Sequence, residues 1–346
     1  MEESSRKEKR KKKVYEVTTF PVPFPLGGIT ENIILNTNRP AEPSKEELIN
    51  QAIKFHLAGN IQEASKYYRY FINQGFKDYR IFSNYGVILK DLGKLQEAEK
   101  FYRKAIDLKP DFAEAHLNLG KIFLELENLE EAEKFYRKAI DLKPDFAEAH
   151  LNLGRIFLDL GSLEEAEVST RKAIELKPDY AIAYSNLGNI LKDLGKLHEA
   201  EVSTRKAIEL KPDFAEASWN LSLLELLQGD YKHGLENYEF RSKTKKPIIP
   251  DGKPKVKQVD NKKLTKEEKL LVVSEQGLGD TLQYMRYIPY LRNQGFDISF
   301  SAQTKLCSLI QSSGIDQNPL IPEQANQISE GQWIPLLSLP RYLKVS

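Results

Sequence analysis

Cysteine is almost absent from this chain of 346 residues, which has only Cys307. A single cysteine excludes an internal disulfide framework and a cysteine-rich zinc site, and it suits a reducing compartment, so we expect a cytoplasmic protein. There is no run of about eighteen apolar residues and no apolar stretch after the basic N-terminus, so we expect neither a membrane span nor a signal peptide. With 51 basic and 50 acidic residues, no overall field attracts the chain to nucleic acid.

The main feature of the sequence is a period of about 34 residues. Residues 113–146 read AEAHLNLGKIFLELENLEEAEKFYRKAIDLKPDF, and Ala147 then begins AEAHLNLGRIFLDLG. Leu119, Phe123 and Leu126 recur every three or four positions, which places them on one face of a first helix. The period predicts a first helix, a tight turn and a second helix in each unit.

Small residues stand where the two helices of a unit must touch, namely Gly120, Ala132 and Ala139. Pro144 cannot donate a backbone hydrogen bond and therefore ends the second helix. These positions closely resemble the tetratricopeptide repeat family. The resemblance implies a mainly α-helical superhelical solenoid with the first helices on its concave side. In register it gives about six units, at residues 45–78, 79–112, 113–146, 147–180, 181–214 and 215–242.

The remaining segments differ in composition. Residues 1–13 are highly charged, so we expect a disordered basic tail. Residues 14–44 alternate prolines with aromatic and β-branched residues and predict an extended segment. Residues 243–268 are basic and poor in apolar residues, which predicts a linker, and residues 269–346 predict a partial α/β domain.

Asparagine occupies the sixth position of every unit, a set that we call the asparagine row: Asn50, Asn84, Asn118, Asn152, Asn186 and Asn220. We expect this position to face away from the buried side. An amide both donates and accepts hydrogen bonds, so the row could hold the main chain of an extended peptide. It resembles the asparagine ladder of O-linked N-acetylglucosamine transferases, which holds protein substrates. The alternative is that each amide bonds a neighbouring helix.

Charged residues flank the asparagine row on the same helix face. Lys121 precedes Glu125 by four positions, and Arg155 precedes Asp159 by four, a spacing that predicts pairing within each helix. We include Lys121 and Arg155 in the predicted peptide-binding groove.

At the last unit the flanking positions are apolar, Leu223 and Leu227, and we expect the C-terminal domain to cover them. The first unit has Ile53 and Leu57 there, and we expect residues 14–42 to cover that pair.

Three further residues on the repeat helices, His116, His150 and Trp219, are interpreted as packing residues. No carboxylate or cysteine accompanies the two histidines at ligand spacing, so we predict no metal site.

The period changes after Lys269. Leu270 to Ser274 predicts a strand, a glycine loop follows, Thr281 to Asn293 predicts a helix, and Phe296 to Ala302 predicts a second strand. This order is typical of the start of a Rossmann-like parallel sheet. Free backbone amides at such a loop suit a phosphate, which makes Gly277, Gly279 and Thr281 candidate ligand-binding residues.

Three segments of the C-terminal part, SEQGLGDTLQYMRYIPYL, IPLLSLPR and the preceding GDYKHGLENYEFR, resemble bacterial proteins in which tetratricopeptide repeats precede a glycosyltransferase-like domain related to the heptosyltransferases. The resemblance implies that Asp280 is the general base on an acceptor hydroxyl, with a nucleotide sugar as donor substrate and no cofactor. It covers only the first part of the first lobe. A truncated domain, a lobe supplied by another chain and a cap for the solenoid all remain open.

The sequence therefore predicts a scaffold that binds a protein or an extended peptide and carries an incomplete glycosyltransferase-like domain. The alternative is an active glycosyltransferase whose donor-binding lobe comes from elsewhere. Neither prediction includes nucleic acid or a membrane span.

Overall fold

The computed structural model describes residues 44–260, 264–275 and 277–344. The predicted tail, and all but the last residue of the extended segment 14–44, lie outside the described residues. Up to Tyr238 the described chain is helical, and successive helices pair across short turns as the period predicts. The helices are α1 Lys45–Leu57, α2 Ile61–Asn73, α3 Tyr79–Asp91, α4 Leu95–Leu108, α5 Ala113–Glu125, α6 Leu129–Leu142, α7 Ala147–Leu160, α8 Leu163–Leu176, α9 Ala181–Asp193, α10 Leu197–Leu210, α11 Ala215–Leu227 and α12 Tyr231–Tyr238.

Local signals at the helix ends explain where the helices begin and stop. Ser44 and Glu47 form a capping box at the start of α1, in which each side chain accepts from the other residue's backbone N–H. Gly161 ends α7 with φ of 80°, a left-handed conformation that suits glycine. In the preceding unit the same position is Glu127, with φ of 62°. A glutamate there is strained in comparison with glycine.

The small residues bring the two helices of a unit together, as predicted. A Cβ atom added to Gly120 would lie 2.5 Å from the ring of Tyr136, and one added to Gly86 would lie 2.9 Å from the ring of Tyr102. Only glycine allows the first helix to approach these buried tyrosines so closely. In units 79–112 and 113–146 the glycine and the tyrosine therefore form a packing pair, whereas Gly154 and Gly188 face Thr170 and Thr204.

The chain divides into two compact units, and the boundary between them falls within α9. Among the described residues, one unit is 44–186 and the other is 187–344. The first contains the repeats from α1 to α8. The second contains α10 to α12 and the C-terminal sheet.

The C-terminal sheet has four parallel strands in the order β1-β4-β2-β3. Strand β2 lies between β3 and β4, with Leu270 opposite both Ile298 and Gln332. Val272 and Phe300 are fully buried and lie in the apolar core of this region. The elements are β1 Lys257–Gln258, β2 Leu270–Val273, α13 Leu278–Tyr284, α14 Tyr287–Asn293, β3 Ile298–Ser301, α15 Cys307–Ser312, α16 Pro322–Ala325, β4 Gln332–Pro335 and α17 Leu339–Tyr342.

Several expectations for this region are corrected by the structure. The predicted helix 281–293 is two shorter helices, α13 and α14. The predicted linker 243–268 contributes β1, and the Val259 N–H donates to the Trp333 carbonyl at 2.8 Å. Main-chain pairing at a sheet edge does not require apolar side chains, so composition alone could not reveal this strand.

The expectation that the C-terminal domain covers Leu223 and Leu227 is also wrong. Leu227 is 64% exposed, and Leu223 is only partly buried. In the first repeat, Ile53 belongs to the unit's own core, whereas Leu57 is 47% exposed. The segment 14–42, which we expected to cover that pair, lies outside the described residues.

Candidate functional site

The asparagine row is more deeply placed than the sequence suggests. Asn84, Asn118, Asn152 and Asn186 are 3%, 4%, 5% and 9% exposed, and they lie in α3, α5, α7 and α9. Asn50 in α1 is half-buried, as is Asn220 in α11. The expectation that this position points away from the buried face is therefore wrong for these four residues. Their side chains lie between helices, and the amide nitrogens of Asn84 and Asn152 are fully buried.

Tyrosines of the second helices pack against the first helices close to the asparagine row. Tyr68 is fully buried, and burial raises its pKa, an effect that Asn84 partly offsets. Tyr102 and Tyr136 are also fully buried. The sequence analysis missed these tyrosines as site residues. The available signal was the glycine two positions after Asn84 and Asn118, which makes room for the ring.

Two charged residues of the predicted groove differ in their pairing. Arg155 lies 3.7 Å from Asp159 through Nε and Oδ2, in agreement with the predicted pair within α7. Lys121 is instead paired with Glu148 of the next repeat, at 2.7 Å from Nζ to Oε1. Glu125 approaches Lys90 of the preceding repeat at 3.8 Å. The predicted pair between Lys121 and Glu125 is therefore wrong, because long side chains here reach across repeats rather than along one helix.

The Tyr136 hydroxyl lies within the electrostatic reach of these charges. Burial raises its pKa well above the usual value, Arg155 lowers it, and Glu148 and Glu125 raise it further. Side chains of both charges therefore act on the hydroxyl.

Several buried polar atoms near the asparagine row have no hydrogen-bond partner among the described residues. They include the Tyr136 hydroxyl, the Asn152 Nδ2 amide nitrogen and the Thr170 hydroxyl. A buried polar group without a partner costs about 1–3 kcal/mol, so native proteins keep few of them. These atoms are closed to solvent, so no group from outside the chain reaches them in this conformation.

The second predicted site, the glycine loop, lies at the carboxyl end of β2. Gly277 has φ of 116°, and a Cβ atom there would lie 2.6 Å from Asp280 Oδ2. Gly279 and Asp280 are exposed, whereas Thr281 is 1% exposed and its hydroxyl donates to the Gly277 carbonyl at 3.2 Å. The threonine hydroxyl is thus used within the loop. The roles of Asp280 and the glycines stay predictions.

The two histidines that we interpreted as packing residues contact backbone carbonyls. His116 is 7% exposed, and its Nε2 lies 3.2 Å from the Pro110 carbonyl. In the next repeat, His150 Nε2 lies 3.0 Å from the Pro144 carbonyl. The indole nitrogen of Trp219 is buried. Within the described ranges, no three histidine, cysteine or acidic side chains come close enough together to hold a metal ion.

Comparison with known families agrees with this geometry. Residues 58–111 and 86–147 match the tetratricopeptide repeat family. Residues 135–168, 154–195 and 181–214 match it as well. Residues 58–214 therefore consist of tetratricopeptide repeats. No match to a glycosyltransferase family accompanies these, and no curated protein has a matching sequence.

Solved structures share the tetratricopeptide fold. PilF of Pseudomonas aeruginosa is 17% identical, with a TM-score of 0.51 over 56% of this chain and 87% of its own. The Cut9–Hcn1 hetero-tetramer of the APC/C contains a chain that is 16% identical, with a TM-score of 0.51 over 56% of this chain and 38% of its own. YrrB, titled a TPR protein with an unusual peptide-binding site, is 23% identical, with a TM-score of 0.42 over 50% of this chain and 89% of its own.

In the part of the chain that the structure describes, no helix is both long enough and apolar enough to cross a bilayer.

Proposed function

We propose that this protein is a scaffold that binds an extended peptide or protein segment on the first helices of its repeats. The observation that carries the proposal is the asparagine row, which repeats once in every first helix. Amide side chains can donate to main-chain carbonyls and accept from main-chain N–H groups whatever the peptide sequence.

The depth of the amides limits what can reach them. Because Asn118 and Asn152 are 4% and 5% exposed, a contacting group must be small, as a main-chain carbonyl is. Lys121 and Arg155 already have acidic partners, so binding need not depend on a charged peptide. We therefore expect affinity that varies little with salt, unlike binding between oppositely charged surfaces.

A binding measurement tests this proposal. The probe is a fluorescent peptide selected from a random-sequence library for binding to the full chain. Changing Asn118, Asn152 and Asn186 together to alanine should weaken binding about tenfold or more, since each lost hydrogen bond is worth about 1 kcal/mol. Binding unchanged by the triple substitution would refute the role of the row.

The matched control changes three lysines of second helices, Lys66, Lys134 and Lys172, to alanine. Each pairs with a glutamate three positions away in its own helix, and Lys134 also lies 5.9 Å from the Phe135 ring centroid. This control should bind as the wild type does. Thermal unfolding of both variants separates lost contacts from lost folding.

Glycosyl transfer is the second candidate that we propose. The exposed carboxylate of Asp280, beside a glycine loop at the carboxyl end of a parallel strand, supports it. The test is release of nucleotide diphosphate from a panel of nucleotide sugars. Release that disappears in Asp280→Ala would favour the enzyme, whereas no release from any donor would leave the scaffold alone.

A further inference from the structure

A buried arginine joins the end of the repeats to the C-terminal sheet. Arg241 follows α12, in the 3-10 turn Glu239–Ser242, and is 2% exposed. Its guanidinium has five N–H donors, and the structure gives five acceptors for them. They are Glu275 Oε1 at 3.1 Å, Glu275 Oε2 at 3.0 Å, the Tyr238 carbonyl at 3.1 Å, Glu239 Oε1 at 3.2 Å and Ser338 Oγ at 2.9 Å.

The acceptor side of this contact is equally complete. Glu275 is 2% exposed, binds the guanidinium through both carboxylate oxygens, and accepts from the Leu337 N–H at 3.1 Å. Ser338 Oγ also donates to Glu239 Oε2 at 3.0 Å. A bidentate arginine–carboxylate pair with its other groups bonded has the geometry in which a buried ion pair is stable.

This cluster lies at the carboxyl end of the sheet. Glu275 lies two residues beyond β2, and Leu337 and Ser338 lie just beyond β4. These strands are parallel neighbours, and β3 lies on the other side of β2. Ligands of open parallel sheets bind outside the carboxyl ends of the strands, where the strand order reverses. Here that place holds a side chain of the protein itself.

The charge of the arginine is maintained in this buried environment. Burial alone would lower the pKa of Arg241, but Glu275 and Glu239 more than offset this and raise it. The face of the Tyr238 ring lies 4.8 Å from the guanidinium carbon, a distance typical of a cation–π contact. The cluster therefore recognises a planar cation by charge, by five hydrogen bonds and by ring stacking.

We propose that the carboxyl end of this sheet is a guanidinium-binding site whose ligand is the chain's own Arg241. The last repeat thereby docks on the sheet, and the place where such sheets bind a nucleotide is already filled. Within this chain the sheet acts as a cap on the last repeat. This inference does not depend on peptide binding by the asparagine row.

The test uses the full chain with Arg241→Ala and methylguanidinium as the probe. Removing the side chain leaves Glu275, Glu239 and Ser338 without their cation, so the variant should bind methylguanidinium saturably and unfold at a higher temperature when it is present. The wild type should show neither effect. We expect affinity for the variant at least about tenfold above that of any wild-type binding, given two charge-assisted hydrogen bonds.

A matched control is Arg205→Ala. Arg205 also pairs with a buried glutamate, Glu225, but its own side chain is 53% exposed. This variant should not gain a saturable site. Equal binding to both variants, or none to Arg241→Ala while it remains folded, would overturn the proposal.

Two further measurements keep the proposal testable if Arg241→Ala fails to fold. Glu275→Gln keeps the shape of the acceptor but removes its charge, so it should lower the unfolding temperature and should not respond to methylguanidinium. Uridine diphosphate should not bind the wild type. Saturable binding of this nucleotide that Arg241→Lys strengthens would show that the site belongs to a nucleotide and would overturn the proposal.

Discussion

Buried polar groups in the repeats differ from those at the C-terminal sheet. Beside the asparagine row, the Tyr136 hydroxyl and Asn152 Nδ2 have no hydrogen-bond partner among the described residues. At the sheet, every N–H of the Arg241 guanidinium has an acceptor, and Glu275 is bound through both oxygens. A complete cluster stabilises the fold, whereas buried polar groups without partners destabilise it. The buried polar groups of the sheet therefore contribute stability, and those of the repeats cost it.

The largest effect should come from breaking the complete cluster. Arg241→Ala leaves Glu275 buried without its cation, and we expect the free energy of unfolding to fall by about 3–5 kcal/mol. Urea unfolding followed by circular dichroism measures this loss. A loss no larger than that of the exposed Arg205→Ala would contradict the comparison.

A smaller loss should follow from disturbing the packing beneath the asparagine row. In Gly120→Ala the new methyl group would lie 2.5 Å from the Tyr136 ring, and we expect a loss of about 1–3 kcal/mol in the same assay. Gly279→Ala is the control, because an added Cβ there meets nothing within 4 Å. Equal losses in the two variants would show that the tyrosine contact is not the cause.

Removing the unpartnered Tyr136 hydroxyl should raise the free energy of unfolding rather than lower it. Tyr136→Phe deletes a buried group that has no partner, so the free protein should gain about 1 kcal/mol of stability. Ser338→Ala removes a hydroxyl that is bonded to Arg241 and Glu239, so it should lose stability by a similar amount. A loss in Tyr136→Phe would mean that its hydroxyl is satisfied in solution.

Acidification should produce the smallest effect. Burial lowers the pKa of His56 and of His116, so both prefer the neutral form in the folded state. A lowered pKa contributes stability that is complete above about pH 6.5 and is lost as the pH falls through the folded-state value. We expect the free energy of unfolding to fall between about pH 7 and pH 5 as these histidines become protonated.

The histidine prediction is tested by substitution. His56→Gln and His116→Gln should each reduce the pH dependence of the unfolding free energy. An unaltered pH dependence in both variants would contradict the assignment.

The sequence was sufficient for the repeats because their information is local and is repeated. The spacing of Leu119 and Phe123, together with small residues such as Gly120, specifies the helix pair in copy after copy. The depth of the asparagines could not be predicted in the same way, because it depends on how closely adjacent repeats approach.

The parts that sequence reasoning missed depend on contacts between distant residues. Arg241 meets Glu275 across 34 positions and Ser338 across 97, and neither spacing has a motif. Lys121 pairs with Glu148 of the next repeat although Glu125 is nearer in sequence. Strand β1 was hidden because its pairing uses the main chain rather than an apolar pattern.

The most direct test of the central claim is nuclear magnetic resonance of the asparagine side-chain amides during titration with a selected peptide. The account predicts that the NH2 signals of Asn118 and Asn152 shift with the same midpoint as binding, because these groups contact the peptide main chain. Saturable binding that leaves both signals in place, while signals elsewhere shift, would contradict it.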